Sequence, residues 1–163
     1  MIKIITFIFI FFYSNVLYSQ NSLKPLYEVI DEMPISTSKE KFSSLNVMFL
    51  RCSAFTEALH DLEGSSNVTW NLHSELFFKG AAIARSSYLE FAFPDSNQDI
   101  NKQLEKSIRW TKDKIDKTKV QYIDLMESAY LNTGKYFQSD KFLSYELKTC
   151  AEIGRPKLDE FLN

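Results

Sequence analysis

The sequence predicts an all-α protein, built as an antiparallel up-down-up-down four-helix bundle. The chain of 163 residues contains only four Gly and four Pro, which is too few turn-forming residues for a β-sandwich or a barrel. Hydrophobic residues recur at steps of three and four over long stretches, which is the spacing of an amphipathic helix. The connections between these stretches are short, and short connections favour antiparallel neighbours.

The first residues have the layout of a secretion signal. Lys3 precedes an apolar run over residues 4–13, and polar residues follow. The run is about ten residues long, whereas a membrane-spanning helix needs roughly 20. We expect residues 1–19 to be removed as a signal peptide, so that the mature chain begins near Gln20 with no permanent membrane anchor. The alternative is that the segment is retained as an anchor.

The next part of the chain is predicted to be an extended lead-in over residues 20–36. It contains Pro25 and Pro34 and shows no sustained hydrophobic period. A short helical turn at residues 26–30 is the alternative within it. The bundle domain is then predicted to occupy residues 37–163.

Local signals delimit the four predicted helices. They cover about residues 37–63, 69–93, 97–131 and 139–152. Thr37 and Glu40 fit a capping box at the start of the first helix, and Gly64 is a stop signal after it. Gly154 and Pro156 are expected to end the fourth helix.

Each predicted helix has an expected buried face. In chain order these faces contain Leu45, Met48, Cys52, Phe55, Leu59 and Leu62; Leu72, Leu76, Ile83 and Phe91; Leu104, Ile108, Thr111, Ile115, Thr118, Tyr122, Leu125 and Ala129; and Leu143, Leu147 and Cys150. Gly80 on the second helix either permits the close approach of another helix or is a tolerated weak point.

The two cysteines, Cys52 and Cys150, are predicted to form a disulfide. An oxidising compartment favours a bridge, and an even count leaves no free thiol. Both lie on inward faces, as a bridge between the first and fourth helices requires. The alternative is that both are small buried hydrophobic residues. Together with the signal, the bridge predicts a secreted or periplasmic protein.

No motif in the chain predicts an enzyme. Glu57 and His60 match one Glu-x-x-His element of a di-metal carboxylate bundle, but that chemistry needs two such elements. The heptad register also turns both side chains outward. Nucleophile elbows, phosphate-binding glycine loops and metal-pair cysteine spacings are missing from the sequence. We therefore expect no catalytic residue, no cofactor and no metal site.

Acidic residues and both histidines cluster near the first interhelical loop. They are Glu57, His60, Asp61, Glu63, His73 and Glu75. Such groups could collect a cation at one end of the bundle, although no residue that would fix them is identifiable. A solvated acidic end is the other interpretation.

The third predicted helix has the opposite charge. Its cations are Lys102, Lys106, Arg109, Lys112, Lys114, Lys117 and Lys119, and its acids are Glu105, Asp113 and Asp116. Pairs four residues apart, such as Asp113 with Lys117, support the helix itself. Its face is either a solvated surface or a binding surface for an anionic partner, and its charge is expected to be separated along the bundle axis from that of the acidic end.

The formal net charge of −2 excludes a globally basic nucleic-acid binder. We therefore expect an exported soluble binding or structural module. The alternative is a small-molecule or metal-ion carrier that uses the bundle interior or the acidic end with its histidines.

Overall fold

The computed structural model describes residues 23–64, 68–94 and 99–163, and the chain in these ranges is helical, without a strand. The helices are α1 (Leu26–Glu32), α2 (Ser38–Glu63), α3 (Val68–Ala92), α4 (Ile100–Thr133), α5 (Lys141–Thr149) and α6 (Arg155–Leu162), with a π-helical turn at Cys150–Gly154 between α5 and α6. The all-α prediction is confirmed. In the three described ranges, no helix is both long and apolar enough to span a bilayer. The predicted signal peptide, residues 1–19, lies outside the described residues.

Helix α2 is the centre of the fold. Every residue from Met48 to Thr56 is buried, and nine consecutive positions cover all sides of a helix. The predicted stripe through Cys52 and Phe55 is therefore buried, but so are the positions between its members. Helices α1, α3, α4 and α5 and the π-helical turn all contact α2.

The predicted capping signals operate at both ends of α2. The Thr37 hydroxyl accepts the Glu40 backbone N–H at 3.2 Å, and the Glu40 carboxylate accepts the Thr37 backbone N–H at 3.0 Å. Gly64 follows the last residue with φ of +81°, a conformation that L side chains rarely adopt. This reciprocal cap and the glycine stop explain why the bounds of this helix were predictable.

Helix α3 runs antiparallel to both α2 and the first half of α4. The Asn46 amide donates to the Ala81 carbonyl and the Ser53 hydroxyl donates to the Ser74 carbonyl, so residue numbers rise along α2 as they fall along α3. Farther along, the Gln103 amide of α4 donates to the Ser86 carbonyl. The second half of α4 then reaches α2.

The buried face of α3 differs from the prediction. Its buried residues are Ser74, Phe77, Gly80, Ala81, Ala82 and Ala84. Leu72, Ile83 and Phe91 are exposed instead, because small residues bring α3 closest to α2 and turn the larger ones outward. A Cβ at Gly80 would collide with Leu158 and lie 3.0 Å from Phe49, so the close-approach interpretation of Gly80 is confirmed.

The C-terminal segment corrects the prediction that Gly154 and Pro156 end the fourth helix. The chain stays helical through the π-helical turn, in which the Arg155 N–H bonds to the Cys150 carbonyl five residues earlier. Pro156 stands in the first turn of α6, where its missing N–H costs little. Gly154 is buried, and a Cβ there would lie 3.1 Å from the Cys52 sulfur, so this glycine serves packing and not termination.

The lead-in is also more helical than predicted. Residues 26–32 form α1, which extends the short turn considered at residues 26–30. Leu26 is fully buried, so part of the predicted lead-in belongs to the core.

Candidate functional site

A charged network lies buried where α1, α2, α4 and α5 meet. The Arg51 guanidinium donates from Nη2 to Glu146 Oε2 at 2.7 Å and from Nε to Tyr122 Oη at 3.0 Å. The Tyr122 hydroxyl donates to the same carboxylate oxygen at 2.5 Å. Burial, followed by the neighbouring Glu146 charge, raises the pKa of Tyr122 well above its ordinary value, so the hydroxyl remains a donor.

The same network fixes the N-terminal segment. Arg51 Nη1 donates to the Lys24 carbonyl at 2.6 Å, and the Leu26 backbone N–H donates to Glu146 Oε1 at 2.7 Å. Both carboxylate oxygens and all three guanidinium nitrogens therefore have partners. A fully satisfied buried network of this kind positions helices and leaves no group free for a ligand.

The predicted disulfide between Cys52 and Cys150 is present. Its sulfurs are 2.05 Å apart, and its Cα atoms are 5.5 Å apart. The bridge connects the middle of α2 to the first residue of the π-helical turn, under Gly154. It lies four residues beyond Glu146, so it secures the same part of the C-terminal segment as the charged network.

The acidic end is organised by a lysine that the sequence assigned to the opposite charge cluster. Lys119 of α4 contacts Glu57 at 3.0 Å and Asp61 at 2.9 Å. Burial opposes the charged form of Lys119, but hydrogen bonds to Asp61 and Glu57 outweigh it and raise its pKa. The predicted charge separation is therefore wrong, and Glu57 faces α4 and not open solvent.

The two histidines do not share a site. His60 lies 3.7 Å from Asp61, whereas His73 turns to α6 and contacts Arg155 at 3.2 Å. Burial, followed by the Arg155 charge, lowers the pKa of His73. Within the described ranges, no three His, Cys, Asp or Glu residues are arranged to hold a metal ion.

A polar cleft of about 360 Å³ opens beside Lys119 between α2, α3 and α4. Its lining residues are Glu57, His60, Asp61, Asn71, Ser74, Glu75, Phe78, Lys112, Ile115 and Asp116. The cleft brings together acids from all three helices, one lysine and an apolar floor. The sequence predicted the α2 acids and Glu75 here, but not the residues of α4.

Helix α4 divides its cations between two sides. Lys112 lines the cleft and Lys119 pairs with its acids. Lys106 and Lys114 lie four residues on either side of Trp110, on a different face of the helix, and both are exposed. Of the three predicted four-residue pairs, only Asp113 and Lys117 lie within ion-pair distance in the described part of the chain, at 2.8 Å.

Trp110 carries an arginine from the neighbouring helix. The Arg85 guanidinium carbon lies 3.6 Å from the centre of the Trp110 ring, the distance at which a guanidinium stacks on an aromatic face. Lys114 lies 5.7 Å from the same ring centre. Two cations therefore share one aromatic ring at the surface of the α3–α4 junction.

Arg85 has no anionic partner among the residues that the structure describes. Its Nε is buried without a hydrogen-bond partner. Burial lowers the pKa of Arg85, with Tyr88 acting in the opposite direction, and no carboxylate contributes. A partly desolvated cation without a counter-charge gains free energy when an anion arrives, because part of the desolvation cost has already been met by folding.

A second aromatic ring extends this surface to the start of α2. Lys39 lies 5.9 Å from the centre of the Tyr88 ring, and Tyr88 neighbours Arg85 on α3. We call the resulting surface the basic–aromatic face. It consists of Lys39, Arg85, Tyr88, Lys106, Trp110 and Lys114.

Sequence reasoning found part of this face and missed the rest. The lysines of α4 were proposed as a binding surface, whereas Arg85 and Trp110 were not singled out. A tryptophan with a lysine four residues before and four residues after it was a usable signal in α4. Arg85 carried no signal, because only the packing of α3 on α4 places it over the ring. No protein-family model, curated protein or solved structure matches this chain.

Proposed function

We propose that this chain is an exported helical binding module that engages an anionic partner through the basic–aromatic face. The observation that carries the proposal is Arg85, a half-buried guanidinium over Trp110 with no carboxylate partner in the described ranges. Lys106 and Lys114 flank it as exposed cations. The chain as a whole carries a formal charge of −2, so the positive potential is local, and nucleic acid is not the proposed partner.

Export is part of the proposal. The signal-like residues 1–19 and the Cys52–Cys150 disulfide both favour a secreted or periplasmic location, since disulfides persist in oxidising compartments. The proposed mature protein begins near Gln20 and has no permanent membrane anchor. Appearance of the full-length chain in membranes would contradict it.

The bundle architecture is proposed with it. The antiparallel pairs α2–α3 and α3–α4 support an up-down-up order, and the segment from α5 to α6 would be the fourth member. The contact of this segment with α2, through Cys150 and the Arg51–Glu146 pair, supports that role.

A small-molecule carrier is the second candidate, because one specific feature favours it. The polar cleft contains Glu75 and Asp116, two carboxylates for which no cation lies within ion-pair distance in the described ranges, above the apolar Ile115 and Phe78. A cationic organic ligand would suit this lining. Native mass spectrometry of the purified chain separates the candidates, since only a carrier retains extra mass.

Charge reversal tests the main proposal. We expect the mature chain to bind at least one anionic polymer among poly-glutamate, polygalacturonate, polyphosphate and dextran sulfate, with affinity that falls as salt rises. The double variant Lys106→Glu, Lys114→Glu should lose about tenfold or more in affinity.

The matched control is Lys79→Glu, Lys135→Glu, which changes the net charge equally at exposed positions outside the face. Equal losses in the two double variants would reduce the effect to net charge and overturn the proposal. Failure of all four polymers to bind at low salt would do the same.

A further inference from the structure

The chemistry of the partner can be narrowed, on the basis of the proposed function, from the groups around Trp110. We propose that the basic–aromatic face binds an extended acidic segment of another protein, with one side-chain carboxylate held by the fork of Arg85 and its neighbours by Lys106 and Lys114. The argument rests on the donors that the face offers, on their spacing and on the state of the Trp110 ring.

The donors favour a carboxylate over a phosphate or sulfate group. Arg85 lies in the interior of α3, and Trp110 lies in the interior of α4. Backbone N–H groups inside a helix are already bonded to carbonyls, so no amides are available here to surround a tetrahedral anion. The face offers one planar fork and two ammonium groups, and a planar fork matches the two oxygens of a carboxylate.

The spacing of the cations matches an extended peptide. Lys106, Trp110 and Lys114 follow one another at intervals of four residues, which is about 6 Å along a helix. Since Arg85 lies over Trp110, its charge stands between the two lysines, and the three cations form a row. In an extended chain, side chains on one side recur about every 6.6 Å, so acids at alternate positions would meet successive cations.

The Trp110 ring argues against a polysaccharide and a membrane as the partner. Stacking on a sugar requires an open ring face, but Arg85 covers one face at 3.6 Å and Lys114 approaches the ring as well. Insertion into a bilayer requires an exposed aromatic side chain, whereas Trp110 is half-buried. Trp110 therefore serves as a support that holds the guanidinium, and the bound group is the anion that the guanidinium faces.

The test compares two arginines on the intact mature chain, with poly-glutamate as the probe. Arg85→Lys keeps the charge and removes the fork, and Arg109→Lys makes the same change at an exposed position of α4. We expect Arg85→Lys to weaken poly-glutamate binding about tenfold and Arg109→Lys to weaken it less than about twofold. Trp110→Leu removes the support and should reproduce the Arg85→Lys loss, and thermal unfolding of each variant verifies its fold.

The polymers decide the chemical class. We expect poly-glutamate to bind more tightly than dextran sulfate, polygalacturonate or vesicles with anionic lipids at matched charge. Stronger binding of any of these, or equal losses in the two arginine variants, would overturn the inference. In those cases the proposed function stands as long as Lys106→Glu, Lys114→Glu still abolishes binding, whereas the absence of any polyanion binding would defeat the proposed function itself.

Discussion

Two arginines on neighbouring helices stand in opposite situations. Arg51 on α2 is 6% exposed and has a partner for each guanidinium nitrogen, in Glu146, Tyr122 and the Lys24 carbonyl. Arg85 on α3 is half-buried, lies over an aromatic ring, and has no carboxylate beside it in the described ranges. The charge of Arg51 is neutralised inside the protein, whereas that of Arg85 is directed to the surface.

The difference separates a structural charge from a binding charge. A buried cation is tolerated only with a hydrogen-bonded counter-charge, and the network around Arg51 supplies one from a distant part of the sequence. A cation that folding leaves without a counter-charge contributes little to stability, but it can bind an anion from outside. Substitutions at Arg51 and its partners should therefore change stability, and substitutions at Arg85 should change binding.

Removal of the Arg51 counter-charge is the most severe test. Glu146→Gln should lower the free energy of unfolding by about 3 to 5 kcal/mol, because it leaves a buried guanidinium without a charge partner. Urea unfolding monitored by circular dichroism measures the loss. The exposed Glu152→Gln, on the π-helical turn, is the matched control and should change stability by less than about 0.5 kcal/mol. A loss below about 1 kcal/mol for Glu146→Gln would show that the network is not a structural centre.

The disulfide should act on the structural side of the comparison alone. Cys52→Ala with Cys150→Ala opens a loop with a sequence separation of 98, and we expect a loss of about 2 to 4 kcal/mol. Poly-glutamate affinity, measured by calorimetry well below the thermal midpoint, should stay within about twofold of the parent, since the bridge contacts no residue of the basic–aromatic face. A large loss of affinity in the folded variant would link the two regions and contradict their separation.

Arg85→Met should show the reverse pattern. We expect a stability change of about 1 kcal/mol or less, the size of a partly exposed cation–π contact. Poly-glutamate affinity should fall about tenfold or more, because both the charge and the fork are lost. Arg51→Met would give the opposite ranking, with most of its effect on unfolding. If Arg85→Met lowered stability as much as Arg51→Met, the distinction between the two arginines would fail.

The smallest expected effect concerns pH and a third arginine, Arg155. The pKa of His73 is lowered by burial and by Arg155, so the folded state binds this proton less readily than the unfolded state. Its contribution to stability is complete above the ordinary value of 6.5 and is lost as pH falls through the lower folded pKa. His73→Gln should therefore reduce the drop in thermal midpoint between about pH 7.5 and pH 5. His60→Gln, which removes the histidine beside Asp61, is the control, and an unchanged drop in His73→Gln would contradict the prediction.

The helix bounds and the disulfide were predictable because their signals are local or forced. Thr37 with Glu40 and the glycine at position 64 act within one turn of the chain, and two cysteines permit only one intramolecular pairing. The faces of the helices were less predictable. Periodicity placed Leu72 and Ile83 inside, whereas the small residues at Gly80 and Ala84 decided which side of α3 packs most closely.

The sequence by itself determined that the chain is helical, where α2 begins and ends, and which cysteines pair, since each depends on neighbouring residues or on composition. Only the tertiary structure decided that Gly154 packs over the disulfide, that Lys119 joins the acids of α2, and that Glu146 reaches Arg51. It also placed Arg85 over Trp110. These contacts depend on the rotation of each helix about its axis and on which helix lies beside it. Helical periodicity specifies a face, but the packing of the other helices selects the partner of that face.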